Sequence, residues 1–506
     1  MNYFITSRQD LLTSSIEKAQ VQRLKVFDAL HQPATIVTLL YNTVHLQVER
    51  KLGITGRVIN LYQYFQKLPY QEDSTGDQQL ASRLLHQPGY EVQDDEAFLA
   101  GKRRIKLIYY QQRLYSASYY DRFGFLDRTD YYDCGCLSYT DFFEDKGRKV
   151  VRQYYDHHRQ VIISYYYRGG KGNFPVLTLI QLNHHGKLHN FDSEAAFRAY
   201  FLDELVKNDL QAALISDRSD AVLTAFQLMQ QQVPRYQVFH SVFTVDGQLN
   251  SKIFDVYQPL NQMFKNHQLQ GVISSTVKEA ADVQKRFATT KSYAIPVTYL
   301  TEDLLTKSIS FDQRRPGQII AVARLSAVKR LDHLINTVIL LHEKFSFVTL
   351  KIYGYDENLN NYATSKSLKK IVRDHHAEDY IQFCGYLSDL SSVYETADLE
   401  VLTSSFEGFA MALLEAEGHA CPVVSYDINY GPAEIIADGR NGRLVPAGDQ
   451  HTLYKILAQL LSSRETLRQY SNNAQVVARK YAFDQVQKRW RHFLIAENLW
   501  QTEEES

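Results

Sequence analysis

Hydrophobic positions along this chain change rhythm three times. In the first 65 residues, "ATIVTLLYN" and "GRVINLYQYFQ" are short apolar runs set after a polar opening, an α/β texture. From about 70 to 190, runs of Val, Ile and Tyr such as "IKLIYYQQRLYSASYY" and "VIISYYYRGG" alternate with the turn clusters "DHHRQ", "GGKGN" and "NHHGK". Short strands at that spacing predict an antiparallel meander, and its alternating tyrosines suggest an exposed sheet face. From about 195, helical patterns ("EAAFRAYFLDELVKN", "DAVLTAFQLMQQQV") alternate with strand-like "AALIS" and "YQVFH", the pattern of a parallel sheet covered by helices.

A second α/β series starts near 317. "GQIIAVARL", "VTLKIYGY", "YIQFCGY", "DLEVLTSS" and "CPVVSYD" read as strands, and "VKRLDHLINTVILLHEKF" and "AMALLEAEGHA" as helices. The polar segment 290–317, with its two prolines, reads as a linker. The expected architecture is therefore α/β. Residues 1–65 and 195–310 make one Rossmann-like domain, with the antiparallel β domain 70–190 inserted in it. Residues 311–480 make a second, and a final helix within 481–506 packs back on the first. Two such domains leave a cleft at the carboxyl ends of their strands, where sheets of this kind bind ligands.

Composition narrows the function classes. A chain of 506 residues exceeds what one core supports. Its formal net charge of −1 lacks the basic excess of a nucleic-acid binder, so no nucleic-acid partner is expected. No apolar run approaches a membrane span, so membrane contact is expected to be peripheral at most. The start "MNYFITSRQD" lacks signal-peptide character, and four cysteines make no disulfide framework. A cytoplasmic location is the expectation.

Several motifs are absent: the phosphate loop, GxGxxG after a strand, GxSxG, and any Asp-x-Asp pair to hold a divalent metal on a diphosphate. The histidine pairs at 157–158, 184–185 and 375–376 read as solvated loops without a carboxylate frame. Cys134 and Cys136 have no partner pair for zinc. No metal and no cofactor are expected.

Two stretches carry candidate chemistry. In "SSFEGFAMALLEAEGHA", Glu407 precedes a helix start near Phe409 and Glu415 lies about two turns inside it. A helix start offers unpaired amides and the positive end of its dipole to a phosphate, and Gly408 opens that backbone to a ligand. Glu407 can accept hydrogen bonds from sugar hydroxyls, and Glu415 from the hydroxyl pair of a ribose. Taken alone, the two acids read better as ordinary charges near a helix start, with the glycine as a turn. In "AVARLSAVKRLDHLI", Arg324 and Lys329 sit between strand and helix, two cations able to neutralise a diphosphate.

These segments, with "LKIYGYDE", "YIQFCGY" and "PAEII", resemble the nucleotide-sugar half of retaining family 4 glycosyltransferases, which have the GT-B fold, over about residues 317–480. "TSSIEKAQVQRLKVF", the tyrosine-rich insertion, "VFHSVFT" and "DINYGP" extend the resemblance over nearly the whole chain. They point to a bacterial subgroup containing the α-glucosyltransferases of poly(glycerol-phosphate) wall teichoic acid and their poly(ribitol-phosphate) relatives. The catalytic glycosyltransferase of serine-rich adhesins in the accessory secretion pathway also belongs there.

The resemblance implies a UDP-sugar donor, glucose or N-acetylglucosamine. It also implies transfer with retention and without metal, to a polyol-phosphate polymer or, alternatively, to a serine-rich protein together with a non-catalytic partner. By position, Arg324 and Lys329 would bind the diphosphate. Glu407 with the amides of Gly408, Phe409 and Ala410 would hold the donor sugar, Glu415 the ribose, and His240 would lie beside the sugar. Ser14, Ser15, Ile16 and Glu17 would approach the phosphates, and Leu387 would line the donor site. Ser15 and Ala323 stand where the subgroup often has glycine. The insertion would serve as acceptor platform or as the surface of a homo-oligomer or hetero-complex.

Overall fold

The computed structural model describes every residue except 11–13, 70–74, 134, 171, 173, 210, 288, 290, 358–360 and 502–506. The chain divides into two compact units, residues 1–17 with 33–235, and residues 18–32 with 236–506. The division falls inside the stretch read from the sequence as one N-terminal α/β domain.

The first unit holds a parallel sheet and the insertion. Strands β1 (Asn2–Thr6), β2 (Ala34–Thr38) and β3 (Val58–Asn60) pair in parallel. The ten strands β4 to β13 follow, from Glu91–Gln93 to Lys187–Phe191, in one antiparallel meander whose neighbours are consecutive in sequence. Strand β14 (Ala213–Ser216) then returns to pair with β1. Turn clusters at 156–160 and 185–186 lie between strands as expected. A helix, Thr75–Leu85, precedes the first inserted strand. Its Leu80, Ala81 and Leu85 share a core with Ala97, Ile105, Leu107 and Leu114.

The tyrosine face is not exposed. Tyr139, Tyr154 and Tyr165 are all buried, on the side of the helices Leu61–Gln66 and Glu194–Val206, and Tyr132 is buried in the core shared with the helix Thr75–Leu85. Tyr62 stacks on Tyr154 at 4.6 Å between ring centroids and its hydroxyl meets that of Tyr165 at 2.8 Å. Gln66 donates to the carbonyls of Ser138 and Tyr155, each at 2.8 Å. Arg152 grips Asp141 through two contacts of 2.6 and 2.7 Å while lying over the Tyr139 ring. The physical reason is amphipathy: a tyrosine buries its ring and keeps its hydroxyl paired, so strand alternation alone does not say which face is wet.

In the second unit, β15 (Arg235–Phe239), β16 (Gly271–Ser274) and β17 (Ser292–Ala294) run parallel. Strands β18 (Gln318–Val322), β19 (Thr349–Tyr353), β20 (Ile381–Gly385), β21 (Leu399–Leu402), β22 (Val423–Asp427) and β23 (Gly442–Pro446) form a parallel sheet of order β20-β19-β18-β21-β22-β23. Their near-continuous apolar runs, such as "QIIAV" and "VVSYD", suit strands buried on both faces. The supposed linker is packed: it contributes β17, the helix Glu302–Thr306 and the buried Arg314. The Arg314 guanidinium donates to the carbonyls of Tyr394, Ala397, His419 and Ala420. The final helix, Phe483–Ala496, sets Trp490 against Phe27 and Phe493 against Tyr236. Glu497 just beyond it receives the Tyr236 hydroxyl at 2.6 Å and Lys291 at 2.8 Å.

Removing a buried tyrosine should therefore cost far more than removing an exposed aromatic ring. Tyr154→Ala should lower the unfolding free energy by about 3–5 kcal/mol. Phe174→Ala, at a position 74% exposed, should change it by no more than about 0.5 kcal/mol. Urea titrations of both variants check this, and equal effects would contradict the buried tyrosine face.

Candidate active site

All but four of the candidate residues fall in the second unit, at the carboxyl ends of β15, β18, β20 and β21. After β21 the chain enters "TSSFEGFA" and begins the helix Met411–Gly418, two residues later than Phe409. Glu415 is thus about one turn inside the helix, not two. Thr403 donates its hydroxyl to the carbonyls of Lys329 and Arg330, both at 3.0 Å, and the Ser405 amide donates to Val328 O at 2.8 Å. These bonds tie the Glu407 loop to the 3-10 turn Ala327–Lys329 that follows β18.

On that frame Lys329 Nζ reaches Glu407 Oε1 at 2.5 Å, and Ser404 Oγ donates to the same oxygen at 2.6 Å. Both charged side chains are mostly buried, 16% and 14% exposed. Removing one partner from such a pair strands the other charge, at a cost of about 3–5 kcal/mol when burial is complete. The Glu407 backbone is held as firmly. Its amide donates to Asn429 O at 2.9 Å, and the Tyr430 amide donates to Glu407 O at 2.6 Å.

Two glycines are dictated by backbone crossings. A Cβ on Gly408 would sit 2.2 Å from His240 O, and one on Gly431, whose φ is +104°, 2.1 Å from Phe409 O. Gly408 thus lets the loop after β15 lie against the loop after β21; the crowding that requires glycine comes from the chain itself. This crossing brings the His240 main chain beside Gly408. Ala410 takes a left-handed conformation (φ 68°) to start the helix.

Arg324 stands apart from that cluster. Its guanidinium is half exposed and pairs with Glu357 at 2.6 Å. Its loop is fixed by the Leu325 amide, which donates to Tyr355 O at 3.0 Å. Gly354 is needed there, since a Cβ would lie 2.0 Å from Ala323 O. Leu387, beyond β20, is exposed. Glu415 is partly accessible, and desolvation raises its carboxyl above the ordinary range against the pull of the Lys18 ammonium and a 3.3 Å hydrogen bond from the Tyr394 hydroxyl. Glu400, fully buried on β21, adds to the crowding of negative charge there and is itself pushed well up by burial.

In the first unit, Ser14 and Glu17 open the helix Ser15–Ala29. The Ser14 amide donates to Glu17 Oε2 at 2.8 Å, and the two side chains also pair. Glu17 Oε1 meets Arg218 at 2.8 Å. This is a capping arrangement, with Ser15 and Ile16 in the first turn.

Reasoning from spacing missed Ser404, Tyr394, Glu357 and Asn429, because each acts through a fold contact from a different loop. It also missed a carboxylate for one histidine pair. His184, His185 and Glu204 bring ligand-capable atoms within 4.8 Å of one another. Cys134 lies outside the described residues.

The glycosyl transferases group 1 family matches residues 307–477. The GtfA subunit of a UDP-N-acetylglucosamine–peptide N-acetylglucosaminyltransferase from Streptococcus gordonii is 24% identical, over 95% of this chain and 96% of its own length. A poly(ribitol-phosphate) α-N-acetylglucosaminyltransferase from Staphylococcus aureus (strain COL) is 20% identical over 96% of this chain and 98% of its own. Residues 307–477, which hold the six-stranded sheet of the second unit, thus carry a glycosyl transferases group 1 domain. The fold of the chain matches the crystal structure of TarM with a TM-score of 0.81 at 18% identity, covering 99% of this chain and 98% of that one, which gives the chain the GT-B fold. The inserted antiparallel sheet lies within the matched length.

The Gly408 crossing generates a direct test. Gly408→Ala must push the His240 loop aside, and overpacking of this kind costs about 1–3 kcal/mol. The denaturation midpoint should fall accordingly and turnover should fall with it. A variant with unchanged midpoint and turnover would show that the two loops do not meet there.

Proposed function

We propose that this glycosyltransferase moves glucose or N-acetylglucosamine from a UDP-sugar to a hydroxyl of a polyol-phosphate polymer of wall teichoic acid, with retention and without metal. The observation that carries the reading is the Lys329–Glu407–Ser404 cluster at the start of the helix Met411–Gly418, with the His240 main chain lying against Gly408. A cation, a hydroxyl-accepting carboxylate and the amides of Gly408, Phe409 and Ala410 suit a sugar diphosphate.

In this reading Arg324 and Lys329 bind the diphosphate and stabilise it as it leaves. Glu407 orients the donor sugar, His240 lies beside it, and Glu415 holds the ribose. The acceptor hydroxyl attacks from the face that UDP leaves, and a β-phosphate oxygen takes its proton. No divalent ion is invoked, because the cations supply the charge stabilisation it would give. Leu387 lines the donor site.

The polymer is preferred as acceptor because the segment after Thr13 and the unbroken insertion resemble the teichoic-acid branch, and the poly(ribitol-phosphate) relative aligns end to end. A second reading, transfer to serine or threonine of a serine-rich protein with a non-catalytic partner subunit, is supported by the equally long alignment with the Streptococcus gordonii peptide glycosyltransferase. No helix among the described residues is long and apolar enough to cross a membrane; we place the enzyme in the cytoplasm, at most peripheral to the inner membrane face. Exposed Phe123, Phe125 and Phe174 on the insertion suit a surface for assembly.

Offering radiolabelled UDP-glucose and UDP-N-acetylglucosamine with teichoic-acid polymer and with serine-rich peptide decides between the readings. Label on the polymer, with chelator present, is the expected result. Label on the peptide alone would overturn the preferred acceptor, and loss of transfer in chelator that manganese restores would overturn the metal-free step.

The two acids should fail differently. Glu407→Ala should lower kcat by about 100-fold or more, in the range of losing a group that orients the reacting sugar. Glu415→Ala should chiefly raise KM for the UDP-sugar and weaken inhibition by UDP, since ribose contacts change little on the way to the transition state. Equal, small effects on both, in variants that circular dichroism shows folded, would reduce the acids to helix-start charges.

A further inference from the structure

Within the first unit, the turn between β12 (Pro175–His184) and β13 (Lys187–Phe191) gathers two imidazoles at one edge of the inserted sheet. The two strands pair antiparallel with His184 opposite Lys187, which leaves His185 and Gly186 as a two-residue hairpin turn. Both take left-handed backbone, with φ 52° and 73°, as the tight turns that match strand twist require. The turn sets the His184 and His185 rings 4.0 Å apart between centroids. The helix Glu194–Val206 meets this hairpin through Tyr200, whose hydroxyl lies 3.1 Å from His184 Nδ1 and 3.4 Å from His189 Nε2. Glu204 stands four residues beyond Tyr200, one turn further along the same helix face.

One ligand-capable atom from each of His184, His185 and Glu204 lies within 4.8 Å of the other two. Tetrahedral ligands of a zinc-sized ion stand about 3.4 Å apart, so closing the set asks for shifts of about 1 Å. All three side chains can be reached from solvent, since His185 is exposed and His184 and Glu204 are only part-buried. Two imidazoles and one carboxylate are a transition-metal donor set, whereas calcium and magnesium take oxygen ligands. The Tyr200 contact fixes how the His184 ring is turned, and orienting partners of this kind accompany metal-binding histidines. Glu204 Oε1 also meets Lys207 Nζ at 3.2 Å, but that lysine is 55% exposed. Pairs so exposed contribute little, and a doubly charged ion displaces the ammonium.

We propose that His184, His185 and Glu204 bind one divalent transition-metal ion, of which zinc is the type, and that this ion clips the β12–β13 hairpin to the helix Glu194–Val206. Three protein ligands leave the fourth position of a tetrahedral ion to water. The clip acts where the sheet is weakest. β13 is its last strand and pairs with β12 alone, so its outer side lacks a neighbour. The same helix sets Phe197 against the buried Tyr165, at 6.3 Å between ring centroids, so an ion joining hairpin to helix also secures the cover of the tyrosine face. None of the three ligands is among the residues proposed for sugar transfer. The ion takes no part in that step, and the site does not rest on that reading.

Calorimetric titration of the chelator-treated full chain with zinc chloride tests this, the parent beside His185→Asn, Glu204→Gln and Lys207→Ala. Asparagine suits the left-handed turn position, and glutamine keeps the shape of Glu204, so neither change disturbs the hairpin or the helix. The parent should bind one zinc equivalent that His185→Asn and Glu204→Gln each weaken about 10-fold or more, since even an orienting partner is worth about 10–100-fold to a metal site. Lys207→Ala should tighten the same site, because the competing ammonium is gone. Saturating zinc should raise the melting temperature of the parent, as any ligand of the folded state does, and leave that of Glu204→Gln nearly unmoved. A parent that takes up no zinc would overturn the site. So would zinc affinities that agree within about 2-fold among the parent, His185→Asn and Glu204→Gln.

Discussion

Backbone packing at the loop ends decides where the chemistry of the second unit sits. Gly408 and Gly431 each lie where another stretch of main chain passes closer than any Cβ allows. Because the chain closes over itself there, the loops after β15, β21 and β22 form one piece. The Lys329–Glu407 pair is then held at fixed geometry by bonds on both sides: Thr403 and Ser405 to the turn after β18, Asn429 and Tyr430 to the Glu407 main chain. Preorganisation of this kind is what lets a charged pair act on a ligand without first reorganising.

The parallel sheets were legible in the sequence because buried strands leave apolar runs of a length and flanking that helices lack. β18, β22 and the helix Leu331–Lys344 stand within a few residues of their expected places. The acids at 407 and 415 were legible as a spaced pair beside a glycine. What the glycine does was not, since its neighbour, His240, is 168 positions away and no local pattern records a main-chain crossing. The tyrosine-rich insertion misled for a related reason. Tyrosine is compatible with water at its hydroxyl and with a core at its ring, so the covering helices, Leu61–Gln66 and Glu194–Val206, had to be known first. The segment 290–317 looked like a linker because its prolines and polar residues conceal Arg314, a buried cation whose two terminal nitrogens donate to carbonyls.

Two polar clusters, one in each unit, follow the same plan. In each, one carboxylate oxygen is held by donors from other parts of the chain. Glu407 Oε1 takes Lys329 and Ser404, and Asp133 Oδ2 takes Tyr41 and Gln63. The supports come from parts of the chain remote in sequence, which ties each cluster to the completeness of its unit.

The buried tyrosine face sets a limit on how this architecture can change over generations. The inserted sheet shares its inner surface with the helices Leu61–Gln66 and Glu194–Val206, so it is not a cassette that recombination can lift out or exchange whole. A transplanted sheet would have to bring matching rings for Tyr62 and Phe197 and a carboxylate where Asp133 stands. Its hairpin tips and outer edge, bearing Phe123, Phe174 and Leu188, carry no such obligation. Divergence among proteins of this plan is therefore channelled to the outward rim, where new contacts can be acquired one side chain at a time while the inner surface stays fixed.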